Sequence, residues 1–357
     1  MKKESRLLRI GVLGCGPISQ IAHFDACRKA RNAELYAICD LAPDLVAKMA
    51  AEHEPKATYL KFDEMLADSK VEAVVIGVAD QFHVPLARQA IAAGKHVLVE
   101  KPLGVSVEEC EVLQSEWQRT KCVFQIGNNR RFDPGVAFAH RFIQEEMGRL
   151  MALKAWYYDS TFRYTMTDNL QPIVRPSAQA RRPEGKPKAD KSRYFLLGHG
   201  SHLADTARFL GGEITAVRAR LREDFGAYGW FVETEFANGA LGHLDLIIPI
   251  CGDFEEGFQI FGEHGSVQGK VLAPWFHKTS QVECFSGKDR VYRRPLGEDA
   301  HTYKLQIEGF ADTILHGLTQ HGANINDGVA AIRALAAIAR SVETGAKMQL
   351  TEMSGGV

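Results

Sequence analysis

Much that would place this chain quickly is missing from its 357 residues. No apolar stretch approaches the roughly 20 residues that a membrane helix needs, so no spanning segment is expected. Lysine and arginine number 43 against 44 aspartates and glutamates, a net charge of −1. A dedicated nucleic-acid or membrane-surface binder would carry a basic excess, so neither class is expected. The seven cysteines (Cys15, Cys27, Cys39, Cys110, Cys122, Cys251, Cys284) are odd in number, scattered, and lack any C-x-x-C pair. They read as buried free thiols of a protein in the reducing cytoplasm. Internal repeats and low-complexity tracts are absent. The opening MKKESRLLRIGVLGCG has a basic head before apolar residues, but Arg9 interrupts the run and no small-residue cleavage site follows. It reads as a first strand, not a leader.

What is present is a change of texture along the chain. Apolar runs suited to buried parallel strands fall at 7–14, 34–40, 73–79, 96–100 and 122–127. Helical patterns lie between them, at about 17–30, 43–53, 62–69, 83–93 and 106–120. This alternation predicts a doubly wound parallel sheet that binds ligands at the carboxyl ends of its strands. After about residue 130 the segments 150–164, 213–224, 228–250, 258–272 and 280–296 alternate with period 2, which predicts a largely antiparallel sheet. Asn238-Gly239 reads as a two-residue hairpin turn, because both residues tolerate positive φ. Two helices are expected after about 301, the second with Val329, Ile332, Leu335, Ala336 and Ala339 at helical spacing. The stretch 171–193, rich in proline, lysine and arginine, reads as a long loop.

The first strand runs into Gly14-Cys15-Gly16-Pro17-Ile18-Ser19, a G-x-G-x-x-S motif. In a dinucleotide site the first glycine makes the tight turn and the second lets a pyrophosphate approach the backbone. The helix N-terminus adds N–H donors and positive partial charge. Pro17 suits a helix start, where no N–H is needed. A bare G-x-G fits a plain turn equally well, but here strand two also ends at Asp40, where such folds place the acid for the ribose hydroxyls. Leu41, Ala42 and Pro43 follow, with no arginine for a 2′-phosphate, so NAD is expected over NADP.

The strand at 96–100 leads into Glu100-Lys101-Pro102-Leu103-Gly104. A charged pair there is either a structural ion pair or faces a ligand. Together with the glycine motif, AGKHVLVEKPLG (93–104), NNRRFDP (128–134) and ARSVETGAKMQL (339–350) make the chain resemble the Gfo/Idh/MocA oxidoreductases along essentially its whole length. The resemblance implies an α/β plus α+β architecture. An N-terminal doubly wound Rossmann domain (1–128) would precede an open-faced, largely antiparallel C-terminal sheet domain (129–357), whose final helices pack back on the first. It implies oxidation of a secondary hydroxyl of a sugar, sugar derivative or cyclitol with NAD, in a homodimer or homotetramer built through the C-terminal sheet.

By the same resemblance Lys101 lies beside the nicotinamide and the reacting hydroxyl, where an ammonium favours alkoxide character as hydride leaves carbon. Glu100 orients that lysine or touches the cofactor. The implied cofactor set is Gly14, Gly16, Pro17, Ile18, Ser19, Asp40, Ala79, His83, Glu100, Lys101 and Asn129, with His83 structural or cofactor-side. Arg130 and Arg131 serve the cofactor or merely cover surface. The substrate candidates are Arg131, Tyr158, Arg163, His199 and Asp205.

Residues 197–205 read LGHGSHLAD. The family pattern at this point is D-x-G-x-H-x-x-D; Gly200, His202 and Asp205 match it, and Gly198 stands where the acid belongs. His202 is therefore the expected general base, in the first turn of a helix whose positive end disfavours the imidazolium. His199, His202 and Asp205 are spaced i, i+3, i+6, but no cysteine or glutamate completes a recognised ligand spacing, so no metal is expected. Two other functions fit the same motifs. One is an NAD-dependent glycoside hydrolase working by transient oxidation and elimination. The other is a non-catalytic NAD-binding sensor, which the intact Lys101 and His202 argue against. The basic residues Arg163, Arg175, Arg181, Arg182, Lys186, Lys188, Lys191 and Arg193 form either a solvated loop or a lid for an acidic sugar.

Overall fold

A computed structural model describes residues 6–160, 162, 171–180, 189–297 and 299–357. Its first sheet contains β1 (Leu8–Leu13), β2 (Ala33–Cys39), β3 (Ala57–Tyr59), β4 (Ala73–Ile76), β5 (His96–Val99) and β6 (Phe124–Ile126). All six are parallel, in the order β3-β2-β1-β4-β5-β6. β4 is buried throughout, as its unbroken apolar run requires of a strand covered on both faces. A π-helical turn at Ser19–His23 leads into α1 (Phe24–Lys29). It is followed by α2 (Pro43–His53), α3 (Phe62–Ala67), α4 (His83–Ala92) and α5 (Val107–Trp117). Ser106 and Glu109 form a capping box that starts α5, and Pro43 occupies the first turn of α2. The expected strands and helices are all found, and β3 is an addition. Its three residues lie on the sheet edge and none is fully buried, so they left no apolar run to read.

The remainder begins with α6 (Pro134–Glu146) and β7 (Leu150–Ser160), followed by α7 (Lys191–Gly198) and α8 (Gly200–Gly211). Then come β8 (Ile214–Asp224), β9 (Ala227–Phe236), β10 (Leu241–Ile250), β11 (Glu255–Gly262), β12 (Gly265–Val271), β13 (Gln281–Ser286) and β14 (Val291–Arg293). α9 (Thr302–His316), α10 (Ile325–Thr344) and β15 (Met348–Gln349) complete it. The nine strands run β14-β13-β12-β11-β7-β10-β9-β8-β15, antiparallel except where β7 meets β10. One face carries α6, α8 and α10. The other is open, with Arg218, Arg220, Phe231, Glu233, Leu241 and Phe261 pointing out between inward neighbours.

Three expectations need correction or completion. The 238–239 turn is not a two-residue loop: Phe236 N–H donates to Ala240 O, and only Gly239 has positive φ. Asn238 instead spends its side chain on Gly211 O (2.8 Å) and on accepting from Ala240 N–H (3.1 Å). Within 171–193 a helix starts at Lys191, and residues 175–179 dock on the first domain. Arg175 N–H donates to Gln20 Oε1 (2.7 Å), and the Ser177 hydroxyl donates to Asp44 (2.6 Å). The final helices do pack back. Tyr303, Ile307 and Phe310 of α9 join the core of Ile10, Phe24 and Leu35, while α10 lies against both α5 and β8.

Candidate active site

The glycine turn after β1 has the backbone geometry of a phosphate cradle. Gly14 sits at φ +93°, and a Cβ there would lie 2.5 Å from Gly77 O, so no other residue fits. A Cβ on Gly16 would meet no described atom within 4 Å, which leaves the close approach a pyrophosphate needs. Helix begins at the exposed Pro17. Ser19 turns inward: its buried Oγ would be 2.8 Å from a Cβ on Gly77. The tight helix–strand packing usually granted by a third glycine is thus supplied by Gly77 across the gap, against which Ser19 packs. Asp40 accepts from Cys15 N–H (2.7 Å) and Ala42 N–H (2.9 Å), which fixes its carboxylate beside the turn.

Downstream, the loops after β4, β5 and β6 converge on a cleft of about 290 Å³. Ile18, Val78, Asp80 and His83 line it, with Ala79 between them as the cap of a short 3₁₀ turn. His83 bridges the carbonyl oxygens of Pro102 (2.7 Å) and Val78 (3.1 Å) and so braces the loop that carries Lys101. Glu100 is buried, with Oε1 2.9 Å from His23 Nε2, and it accepts from Lys101 N–H at 3.2 Å. Burial alone would raise its pKa, but the hydrogen bond and charge of His23, with Lys101 and His83 near, hold it below the usual range. Glu100 therefore anchors the backbone of Lys101. Lys101 Nζ crosses the cleft and donates to Gly198 O at 3.0 Å. Asn129 lines the cleft; its Nδ2 donates to Thr302 Oγ1 (3.2 Å), while its buried Oδ1 has no hydrogen-bond partner among the described residues. That orphaned acceptor, the open cradle at Gly16 and the anchored Asp40 together fit a bound dinucleotide.

The second domain supplies the facing wall: Tyr157, His199, His202, Phe254, Trp275 and Tyr303. The spacing of LGHGSHLAD now has a physical basis. Gly200 is closely packed: a Cβ there would lie 3.0 Å from a Leu335 methyl and 3.1 Å from a Leu196 methyl, so both side chains would have to give way. No described atom lies within 4 Å of a Cβ on Gly198. His202 falls in the first turn of α8, but that helix is no free N-terminus. α7 runs into it through His199, and His202 N–H donates to His199 O (3.1 Å). The positive pole expected there is largely satisfied by the preceding turn, so Lys101 is the cation that shapes this end of the cleft.

Three other substrate candidates, Arg131, Tyr158 and Asp205, do not line the cleft. Arg131 and Asp205 form a buried ion pair (2.7 Å), and Arg131 also meets Asp327 (3.2 Å). Burial would lower the pKa of Arg131, but Asp205 and then Asp327 outweigh it and hold the guanidinium above its ordinary value. The pair is a brace joining the loop after β6 to α8 and α10. Tyr158 points to the open face of the sheet, because Tyr157 beside it takes the inward position and strand residues alternate. Burial and a hydrogen bond to Asp245 push its phenol up to about 12. Arg163 lies outside the described residues, as do Arg181, Arg182, Lys186 and Lys188. Arg130, weighed only as cofactor contact or surface cover, lines the cleft and pairs with buried Glu256 (2.7 Å). Tyr157, Phe254, Trp275 and Tyr303 were not anticipated. Their only signal was aromatic residues far apart in sequence, in strand, loop and helix segments.

Comparison with known proteins agrees with this geometry. Residues 8–128 match the family description "Oxidoreductase family, NAD-binding Rossmann fold", and residues 147–268 match the "GFO/IDH/MocA C-terminal domain". The chain is 28% identical over 349 residues to inositol 2-dehydrogenase 2 of Saccharopolyspora erythraea, covering 95% of this chain and 94% of that protein. It is 24% identical over 359 residues to inositol 2-dehydrogenase of Rubrobacter xylanophilus, covering 98% and 95%. Among solved structures it superposes on a levoglucosan dehydrogenase in complex with NADH at a TM-score of 0.78. That match covers 98% of this chain and 100% of the other at 20% identity, a likeness of fold.

Proposed function

The chain belongs to the GFO/IDH/MocA oxidoreductase family, and from that premise we propose that it oxidises a secondary hydroxyl of a sugar, sugar derivative or cyclitol, with His202 as general base and Lys101 as its electrostatic partner. One observation carries the proposal. A cleft of monosaccharide size brings Lys101, His199 and His202 together at the carboxyl ends of the first sheet's strands, next to the glycine turn. NAD, when bound, supplies the hydride acceptor. Gly14, Gly16, Asp40 and Asn129 would hold it, with Ile18, Val78 and His83 along its path. Asp40 would face a 2′-phosphate as like charge with no arginine in the residues that follow it, which supports NAD over NADP.

The chain's own groups divide the work of removing a proton. His202 takes the hydroxyl proton as the C–H bond breaks, and the Lys101 ammonium stabilises the negative charge growing on oxygen. Held on Gly198 O, that ammonium is already placed before substrate arrives, so little reorganisation is needed. Tyr157 lies parallel to the His202 ring, with centroids 5.8 Å apart, and fixes its plane. Six of the seven cysteines are buried and Cys251 is exposed, against the expectation that all are buried; all are unbridged, which supports the reducing cytoplasm as the compartment. The open sheet face supports a homodimer or homotetramer.

A panel of myo-inositol, levoglucosan and common sugars, followed at the NADH absorbance band, tests the proposal. NADH should accumulate with at least one neutral polyol. Aglycone released from glycosides without net NADH would mark a transient-oxidation hydrolase instead.

A further inference from the structure

Gly198 contributes no side chain to the cleft, yet one of the cleft histidines has a carboxylate beside it. It comes from the strand opposite. Asp159 of β7 is buried, and its Oδ2 lies 3.4 Å from His199 Nδ1. The Tyr157 hydroxyl, two residues earlier on the same inward face, lies 3.3 Å from that nitrogen. A carboxylate only accepts, so a hydrogen bond between Nδ1 and Asp159 puts the proton on Nδ1 and, in the neutral ring, leaves Nε2 its lone pair. The Tyr157 ring also lies flat beside His202, so one tyrosine touches both histidines.

We propose that Asp159 is a positioning residue of this site. It fixes His199 in the Nδ1–H form, and His199 then works with His202 in moving the substrate proton, in place of a side chain at position 198. This rests on the dehydrogenase reading above. The proton leaves the substrate hydroxyl, rests on an imidazole nitrogen and passes on to water, while the C–H electron pair leaves as hydride to NAD. Asp159 supplies orientation and charge throughout and is not itself protonated. The groups facing His199 are Asp159 and Tyr157 from β7, His202 on its own helical run, and Lys101 on the carbonyl of residue 198. Behind them sits the Arg130–Glu256 pair. There burial, with Asp133 and Asp159 close by, pushes the Glu256 carboxyl up against the pull of Arg130.

The test uses the full chain saturated with NAD, comparing wild type, Asp159→Asn and Asp159→Glu. Nitrogen NMR of the histidine rings, assigned with a His199→Gln variant, reads the tautomer without needing turnover. In Asp159→Asn the His199 signal should lose its Nδ1–H character, and its titration midpoint should move to lower pH, since the carboxylate that favoured the imidazolium is gone. With a polyol substrate, kcat should fall about 10²-fold while KM and NAD affinity stay near wild type. Asp159→Glu should recover part of both signals. Unchanged His199 nitrogen signals in Asp159→Asn overturn the proposal, as does wild-type kcat in that variant. If the signals shift as expected while no form of the enzyme oxidises any polyol, Asp159 does orient His199 and the dehydrogenase reading is what fails.

Discussion

At the scale of single residues, Arg131 and Asp205 show how a site motif can conceal a structural part. Both fall inside stretches that read as functional, yet each is at most 6% exposed, and they satisfy each other with Asp327. The Arg131 guanidinium also lies 4.8 Å above the Phe209 ring. Removing one partner strands a buried charge, which typically costs about 3–5 kcal/mol. Asp205→Ala should therefore lower the thermal midpoint sharply while leaving the KM for substrate near wild type at a temperature where the protein is folded. A large rise in KM with unchanged stability would return Asp205 to the substrate site. Residue identity alone could not separate these roles. The E-K-P and G-x-H signals were legible because strand ends and helix turns fixed their surroundings. Trp156-Tyr157-Tyr158 was not, because three aromatic residues in a row hide which parity faces inward.

The segment 175–179 is the element that sequence described least well. Its composition announced a loop, but the partners that hold it belong to another domain. Gln20 Nε2 donates to Cys15 O (2.8 Å) and to Arg175 O (3.3 Å), and Lys48 donates to Pro176 O (2.7 Å). Asp44 accepts from Ser177 and Ala178. The segment thus spans from the glycine turn to the start of α2, along the edge where Asp40 stands. The Ser177 hydrogen bond is the main reason the Asp44 carboxyl is held below its usual range. A depressed carboxyl pKa stabilises docking above the ordinary aspartate range, and the contribution is lost as pH falls through the depressed value. Asp44→Ala should therefore raise amide exchange at 177–179 and weaken NAD binding a few-fold at neutral pH. In wild type the same exchange should rise only under acidic conditions. Protection that survives Asp44→Ala would mean the segment is held elsewhere.

On the scale of the whole molecule, the first domain was legible because buried parallel strands are continuous apolar runs and helical patterns alternate with them. The second was legible as strands but not as a packed layer. Long-range pairing such as β7 with β10, some 90 residues apart, leaves no local mark. Its open face still carries Leu241 at 62%, Phe261 at 51% and Phe231 at 41% exposure among arginines and glutamates. Apolar side chains spread over a broad sheet face are what a self-complementary interface requires. Light scattering should report a dimer or tetramer, and Phe231→Glu with Phe261→Glu should shift it to monomer. A wild-type monomer would remove the proposed interface.

The central claim is proton removal at His202 assisted by Lys101, and steady-state NADH formation by His202→Ala tests it most directly. With a substrate taken from the panel, kcat should fall about 10²–10⁴-fold while NAD affinity, measured separately, stays near wild type. Lys101→Ala should do comparable damage, and the double variant should be far less than additive because both groups act on one proton transfer. A His202→Ala enzyme that turns over at the wild-type rate would contradict the account.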